Sequence, residues 1–187
     1  MSKFLLLLGP SGVGKSTIIR ELTKLDERFT YISPYMTRPL RPGEKDKIPV
    51  TDKEIDNMEK EGELLAVNKL YNICYATPKT PIIEALRKQL FPVLDWPICK
   101  IQIMLEAFPG RLYCVYVFPP SSEILEKRIK KDGRDVDGSR LKNASLELSE
   151  FFSHKYSNLY DLSISSEDDK LQYVVETIYS SYLKSFL

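Results

Sequence analysis

Residues 9–16 read Gly-Pro-Ser-Gly-Val-Gly-Lys-Ser and directly follow the apolar run Phe4–Leu8. A Gly-x-x-x-x-Gly-Lys-Ser loop between a strand-like and a helix-like segment is a cradle for phosphate. Its consecutive backbone N–H groups point inward and form a concave anion site. The helix that follows adds the positive end of its dipole. In such a loop Lys15 reaches the β- and γ-phosphates and the Ser16 hydroxyl sits on Mg²⁺. Gly9, Gly12 and Gly14 suit a loop that needs positive φ and close approach of backbone to phosphate. The candidate triphosphate site is therefore Gly9, Ser11, Gly12, Val13, Gly14, Lys15, Ser16 and Thr17. The motif leaves open where the phosphoryl group goes, since kinases, hydrolases, motors and switches all use it.

Other charged residues could act on the same phosphates. Arg38 and Arg41 stand in the proline-rich stretch Thr37-Arg38-Pro39-Leu40-Arg41-Pro42-Gly43-Glu44. Two guanidinium forks three residues apart, in a loop stiffened by proline, can grip one phosphate. A solvated basic loop, with Lys45 and Lys47 nearby, is the alternative. Arg128, Arg134 and Arg140 surround a polar loop that carries Gly133 and Gly138 as hinges. Arginines closing over a transferring phosphoryl group stabilise charge that develops in the transition state. Ordinary surface arginines on amphipathic helices are the alternative there. Asp95 ends an apolar strand, where a carboxylate can hold Mg²⁺ through water opposite Ser16. It could instead cap a helix ahead of Trp96-Pro97.

The elements that position these groups alternate between strand and helix. Lys3–Leu8 reads as a buried strand. Lys15–Lys24 reads as a helix with Ile18, Ile19 and Leu22 on one face. Tyr31–Ser33 is a candidate short strand. Thr51 with Glu54 forms a capping box for a helix ending near Gly62. Glu63–Val67 and Leu70–Tyr75 read as a hairpin about Asn68-Lys69. Thr80 followed by Pro81 opens a helix to about Gln89. Strand Phe91–Asp95, helix Pro97–Ala107 and strand Leu112–Phe118 follow. Ser122 caps a helix to about Lys131, and another runs from Arg140 to about Tyr156. Strand Leu162–Ser165 and helix Glu167–Phe186 close the chain. This alternation predicts an α/β fold with a parallel sheet covered on both sides. Residues 33–90 break the alternation and read as an inserted α+β lobe.

The 187 residues suit one domain, and 43% hydrophobic residues exclude global disorder. A net charge of +1 argues against a nucleic-acid partner. No apolar run approaches the roughly 20 residues of a membrane span. Phe4–Leu8 is too short for a signal peptide, so no membrane partner is expected. Cys74, Cys99 and Cys114 have no metal-ligand spacing and suit a reducing cytoplasm. His154 is the single histidine, which makes a zinc site or a His-based nucleophile pair improbable.

Taken in order, these motifs resemble the guanylate kinases. The phosphate loop ending in Thr17 is followed by Thr-Arg-Pro-x-Arg-Pro-Gly-Glu, then Tyr75, the Phe91–Asp95 strand and Val117-Phe118-Pro119-Pro120-Ser121. Leu125-x-x-Arg128, Arg134 and Arg140-Leu141 complete the pattern, which spans nearly the whole chain. The resemblance implies a P-loop NTPase three-layer core with a parallel sheet, formed by residues 1–32, 91–120 and 157–187. It implies a monophosphate-binding lobe at 33–90 and a helical lid at 121–156. It further implies transfer of the ATP γ-phosphoryl to GMP or dGMP with Mg²⁺, by a monomer or homodimer. Lys15 and its loop would hold ATP, and Ser16 and Asp95 the metal. Arg38, Arg41 and Tyr75 would hold the acceptor phosphate. Arg128, Arg134 and Arg140 would close on the phosphates, with Lys15, as catalytic groups.

The departures cluster at the base. Pro34, Ala66 and Pro97 stand where the family reads guanine with a serine or threonine, a glutamate and an aspartate. Lys47-Ile48-Pro49-Val50 replaces an aromatic pattern, and Ala76 replaces a glycine. A guanine site needs a buried acceptor for N1–H and N2–H₂, and losing one lowers discrimination by orders of magnitude. Glu61 or Glu63 could substitute. Four readings remain: a guanylate kinase-like enzyme, a same-fold binding module without catalysis, a kinase for another small phosphate, and a P-loop switch or hydrolase. The intact phosphate loop disfavours the module, and the Thr37–Glu44 stretch disfavours the switch.

Overall fold

The computed structural model describes residues 3–41, 44, 46–70 and 72–186. Strand β1 (Phe4–Leu8) is buried along its whole length, as a central strand of a parallel sheet must be. It lies between β7 (Phe91–Asp95) and β8 (Leu112–Phe118). β2 (Phe29–Tyr31) and β9 (Leu162–Ser165) complete a five-stranded, all-parallel sheet ordered β2-β7-β1-β8-β9. The register sets Leu7 beside Asp95 and Leu8 beside Tyr116. The carboxyl ends of three strands thus share one edge, where ligands of open α/β sheets bind.

Helix α1 (Lys15–Leu25) returns from that edge and buries Ile18, Ile19 and Leu22. It packs beside α7 (Leu171–Lys184), which buries Val174, Val175, Ile178 and Tyr182. Helix α3 (Thr80–Arg87) lies near β7. After β7, a 3-10 turn (Ile98–Lys100) leads into α4 (Ile101–Ala107). Helices α5 (Ser122–Asp132) and α6 (Ser139–Phe152) flank a loop bounded by Gly133 and Gly138, both at positive φ.

The inserted segment builds a second sheet, ordered β4-β3-β6-β5. It consists of β3 (Tyr35–Met36), β4 (Ile48–Pro49), β5 (Leu64–Leu70) and β6 (Ile73–Pro78). Helix α2 (Asp52–Lys60) covers one face, where Ile55, Leu64 and Ala76 form a small core. The capping box at its start is present: Thr51 Oγ1 accepts from Glu54 N at 3.2 Å, and the Glu54 carboxylate accepts from Thr51 N.

Several local expectations shift. Asn68 and Lys69 lie inside β5, and the hairpin closes after Leu70, paired with Ile73. Asn72 takes φ +60°, a conformation asparagine tolerates. Tyr71 lies outside the described residues, as do Pro42 and Gly43 of the arginine stretch. Ser121 caps α5 in place of Ser122, its Oγ accepting from Ile124 N at 3.3 Å. Thr80 is the first residue of α3 and makes no side-chain cap. Pro97 precedes the 3-10 turn in extended conformation, which also removes Asp95 as the cap of a helix there.

Candidate active site

The phosphate loop leaves β1 at its carboxyl end and is shaped by three glycines at positive φ. A Cβ on Gly9 (φ +121°) would lie 2.1 Å from the Val117 carbonyl oxygen. The close approach of two backbones therefore requires glycine. Gly14 (φ +95°) precedes α1, and its carbonyl accepts from Thr17 N and Ile18 N at 3.0 and 3.1 Å. Val13 is buried beneath the loop, while Ser11 and Thr17 are half-buried and Ser16 is exposed at the helix start. The Lys15 ammonium curls back and donates to the Gly9 and Pro10 carbonyls at 2.5 and 2.9 Å. Burial holds its pKa below the ordinary lysine value, with the positive charge of Arg140 adding to the effect. The charges of Glu147 and Asp95 act in the opposite direction.

Glu147 was not singled out by the sequence reading. It projects from α6, and its Oε1 accepts from the Tyr116 hydroxyl at 3.3 Å. Burial raises its carboxyl pKa, against the pull of Lys15. The spacing Arg140, Ala144, Glu147, Phe151 was the available signal, since three- and four-residue steps share a helix face. Arg140 and Glu147 thus reach the phosphate loop from one helix.

Arg140 is 7% exposed and ties the two glycine-hinged elements together. Its Nη2 donates to Ser11 Oγ at 2.6 Å and its Nη1 to Asp132 Oδ2 at 2.9 Å. Arg134 also pairs with Asp132. Burial raises the Asp132 pKa, but hydrogen bonds and charge from Arg134 and Arg140 prevail and lower it. Asp135 accepts from the N–H groups of Arg140 and Leu141, at 2.8 and 3.1 Å, at the start of α6. Arg128 takes another direction. Its guanidinium donates to Ser166 Oγ (3.0 Å), Ser166 O (2.5 Å) and Asp168 Oδ1 (2.7 Å), in the loop before α7.

In the inserted segment, Arg38 makes a bidentate pair with Glu44, at 2.6 and 2.7 Å. Glu44 also accepts from Arg41 N at 3.1 Å. Donation to Glu44, and to a lesser extent to Tyr75, raises the Arg38 pKa, although burial opposes it. Arg41 is depressed, first by burial and then by the charges of Arg134 and Arg38. The charges of Arg38 and Arg134 thus both bear on Arg41, and Tyr75 neighbours Arg38 and Arg41.

Glu44 titrates at about 2, held down first by its Arg38 hydrogen bonds and against the upward effect of burial. Its native pKa lies below the ordinary 4.5, so the pair's contribution to stability is complete above that value. The contribution is lost as pH falls from 4.5 toward 2. Acid titration followed by NMR of the Arg38 guanidinium should show the pair opening in that window. Glu44→Gln should remove the transition.

Asp95, at the end of β7, accepts from the Tyr31 hydroxyl at 3.3 Å and lies 3.7 Å from Lys47 Nζ. The Lys47 ammonium also contacts the Tyr31 hydroxyl and sits over its ring, 4.8 Å from the centroid. Of the three positions where the resemblance expects guanine contacts, Pro34 precedes β3, Ala66 pairs with Thr77 in the second sheet, and Pro97 precedes the 3-10 turn. Glu61 and Glu63 are exposed at the α2–β5 turn, with Glu61 closing α2. Asn68 is 4% exposed, and its Oδ1 has no hydrogen-bond partner. Leaving such a group unpaired costs about 1–3 kcal/mol.

The guanylate kinase family model matches residues 1–182. Guanylate kinase from Rickettsia typhi is 32% identical over 97% of this chain and 93% of its own length. Guanylate kinase from Clostridioides difficile is 31% identical over 89% and 80%. The crystal structure of guanylate kinase from Anaplasma phagocytophilum superposes with a TM-score of 0.77 at 22% identity, over 98% of this chain and 85% of that one. A shikimate kinase from Acinetobacter baumannii shares the fold less closely, with a TM-score of 0.54 at 18% identity over 100% and 96%. The phosphate loop, the arginines and these matches lead to one assignment: the chain belongs to the guanylate kinase family.

Proposed function

We propose that this chain transfers the γ-phosphoryl group of ATP to a nucleoside monophosphate, nominally GMP or dGMP, giving the diphosphate and ADP. The observation that carries the reading is the grouping of Arg38, Arg41 and Tyr75 in the inserted segment, apart from the phosphate loop, with the charge of Arg134 also acting on Arg41. A hydrolase has no use for a second phosphate site. A kinase needs one facing the first.

The residues have separable roles. The loop from Gly9 to Thr17 binds the triphosphate through backbone N–H groups, and Lys15 swings from the Gly9 and Pro10 carbonyls onto its outer phosphates. Arg38, Arg41 and Tyr75 hold the acceptor phosphate so that one of its oxygens faces the γ-phosphorus. That oxygen forms the new P–O bond as the bridging oxygen leaves with ADP. Arg134 and Arg140, in the candidate lid at 121–156, close over the charge that develops and exclude water. Arg128 anchors that lid to the core through Ser166 and Asp168. Ser16 and Asp95 are oxygen donors of the kind Mg²⁺ prefers, and would hold it directly or through water. Bound there, the ion would neutralise phosphate charge. Three free cysteines, with Cys99 exposed, support a reducing cytoplasmic setting. No described helix is long and apolar enough to cross a membrane.

ADP formation measured across all ribo- and deoxynucleoside monophosphates tests the reading. Acceptor-dependent ADP supports a kinase, acceptor-independent ADP a hydrolase, and none a binding module. Arg41→Ala should raise the acceptor KM by about 10–100-fold, the scale of a lost charge-assisted hydrogen bond. The ATP KM should move less than about 2-fold; equal effects on both would contradict the two-site assignment. A different monophosphate as acceptor is the second reading, favoured by the side chains at Pro34, Ala66 and Pro97, which carry no hydrogen-bonding group.

A further inference from the structure

Cross-strand partners in an antiparallel pair share a face. The pairs Asn68–Tyr75 and Ala66–Thr77 therefore project together, while Val67 and Ala76 turn the other way toward α2. On the first face Tyr75 meets Arg38, and Ala66 packs against the main core. On that face Asn68 is more than nine-tenths buried with an unpartnered amide oxygen, and Thr77 is 2% exposed. Glu44 is engaged by Arg38, and Asp95 lies 3.7 Å from Lys47 Nζ.

From this face we infer that Asn68 reads the acceptor base, and that it reads only the edge shared by guanine and hypoxanthine. The inference rests on the kinase reading above. A neutral amide presents one acceptor beside one donor. That pattern matches N1–H and O6 of a 6-oxopurine. It has no second acceptor atom with which to take N1–H and N2–H₂ in two parallel bonds, as a carboxylate would. The Thr77 hydroxyl can donate or accept, so it discriminates weakly. The 2-amino group that distinguishes guanine is left unread, and the acceptor class is 6-oxopurine nucleoside monophosphates with or without that group.

The test compares kcat/KM for GMP and inosine monophosphate at fixed Mg-ATP. A pocket that leaves a polar group unread discriminates by about 10²-fold at most, whereas one built to bond it reaches about 10⁴-fold. The wild-type ratio should therefore lie within about 100-fold. Asn68→Ala should raise KM for both acceptors and leave the ATP KM in place, a split that a purely structural role would not give. Asn68→Asp, nearly isosteric, supplies two acceptors and should shift the ratio toward GMP by about 10-fold or more. A wild-type preference for GMP above about 100-fold overturns the inference while leaving the kinase reading standing. Unchanged acceptor KM values in Asn68→Ala also overturn it. Turnover of neither acceptor would overturn the inference, and the full panel of monophosphates then decides whether the kinase reading stands.

Discussion

Lys15→Ala is expected to lower kcat/KM for acceptor-dependent ADP formation by about 10³-fold or more, with the fold retained. Removing one preorganised donor from a developing phosphoryl charge costs about 10²–10³-fold in comparable sites. Lys15 is a full charge placed at the loop that binds the triphosphate. Among the described residues its ammonium hydrogen-bonds to the Gly9 and Pro10 carbonyls of its own loop, so its loss strips no apolar side chain from the core. Burial already disfavours the charged lysine, and Glu147 and Asp95 counter that effect. The alanine variant should therefore unfold within about 1 kcal/mol of wild type, as most substitutions away from packed cores do. Steady-state kinetics and a denaturant midpoint on the same preparation separate the two effects. Activity within about 10-fold of wild type would remove Lys15 from the catalytic groups.

Gly9→Ala is expected to act on stability and on triphosphate binding together. The added Cβ would meet the Val117 carbonyl at 2.1 Å, with a rigid central strand behind it. The φ of +121° adds strain of about 1–3 kcal/mol, and overpacking typically adds about 1–3 kcal/mol more. A loss near 4 kcal/mol corresponds to roughly 8–16 °C in Tm for a chain of this size. Gly14→Ala is the matched control. It has positive φ but no atom within 4 Å of the new Cβ, so it should bear the conformational cost alone. Equal destabilisation of the two variants would contradict the close-approach argument.

The main sheet was legible because its strands are continuous apolar runs. Phe91–Asp95 and Leu112–Phe118 are strands with the bounds expected, and the first strand begins at Phe4, one residue after the expected Lys3. The lobe was less so, because its strands are short and depend on partners distant in sequence. Asn68 and Lys69 carry turn chemistry by residue type, yet pairing with Tyr75 and Cys74 draws both into β5. The misread turn and the orphaned amide are one residue seen at two levels. The β4 strand at Ile48–Pro49 had no sequence signal, since two residues pair only because β3 lies beside them. At the site, the phosphate loop and the two arginine groups could be read from spacing. The bonds that join them could not. Arg140 to Ser11 spans 129 residues, and Lys47 reaches Asp95 and Tyr31.

Transfer of label from γ-³²P ATP tests the central claim most directly. Incubated with GMP and Mg²⁺, the protein should place the label on the β-phosphate of newly formed GDP. Little inorganic phosphate should be released when GMP is withheld. Label appearing only as inorganic phosphate, at a rate independent of any monophosphate, would contradict a second phosphate site facing the first.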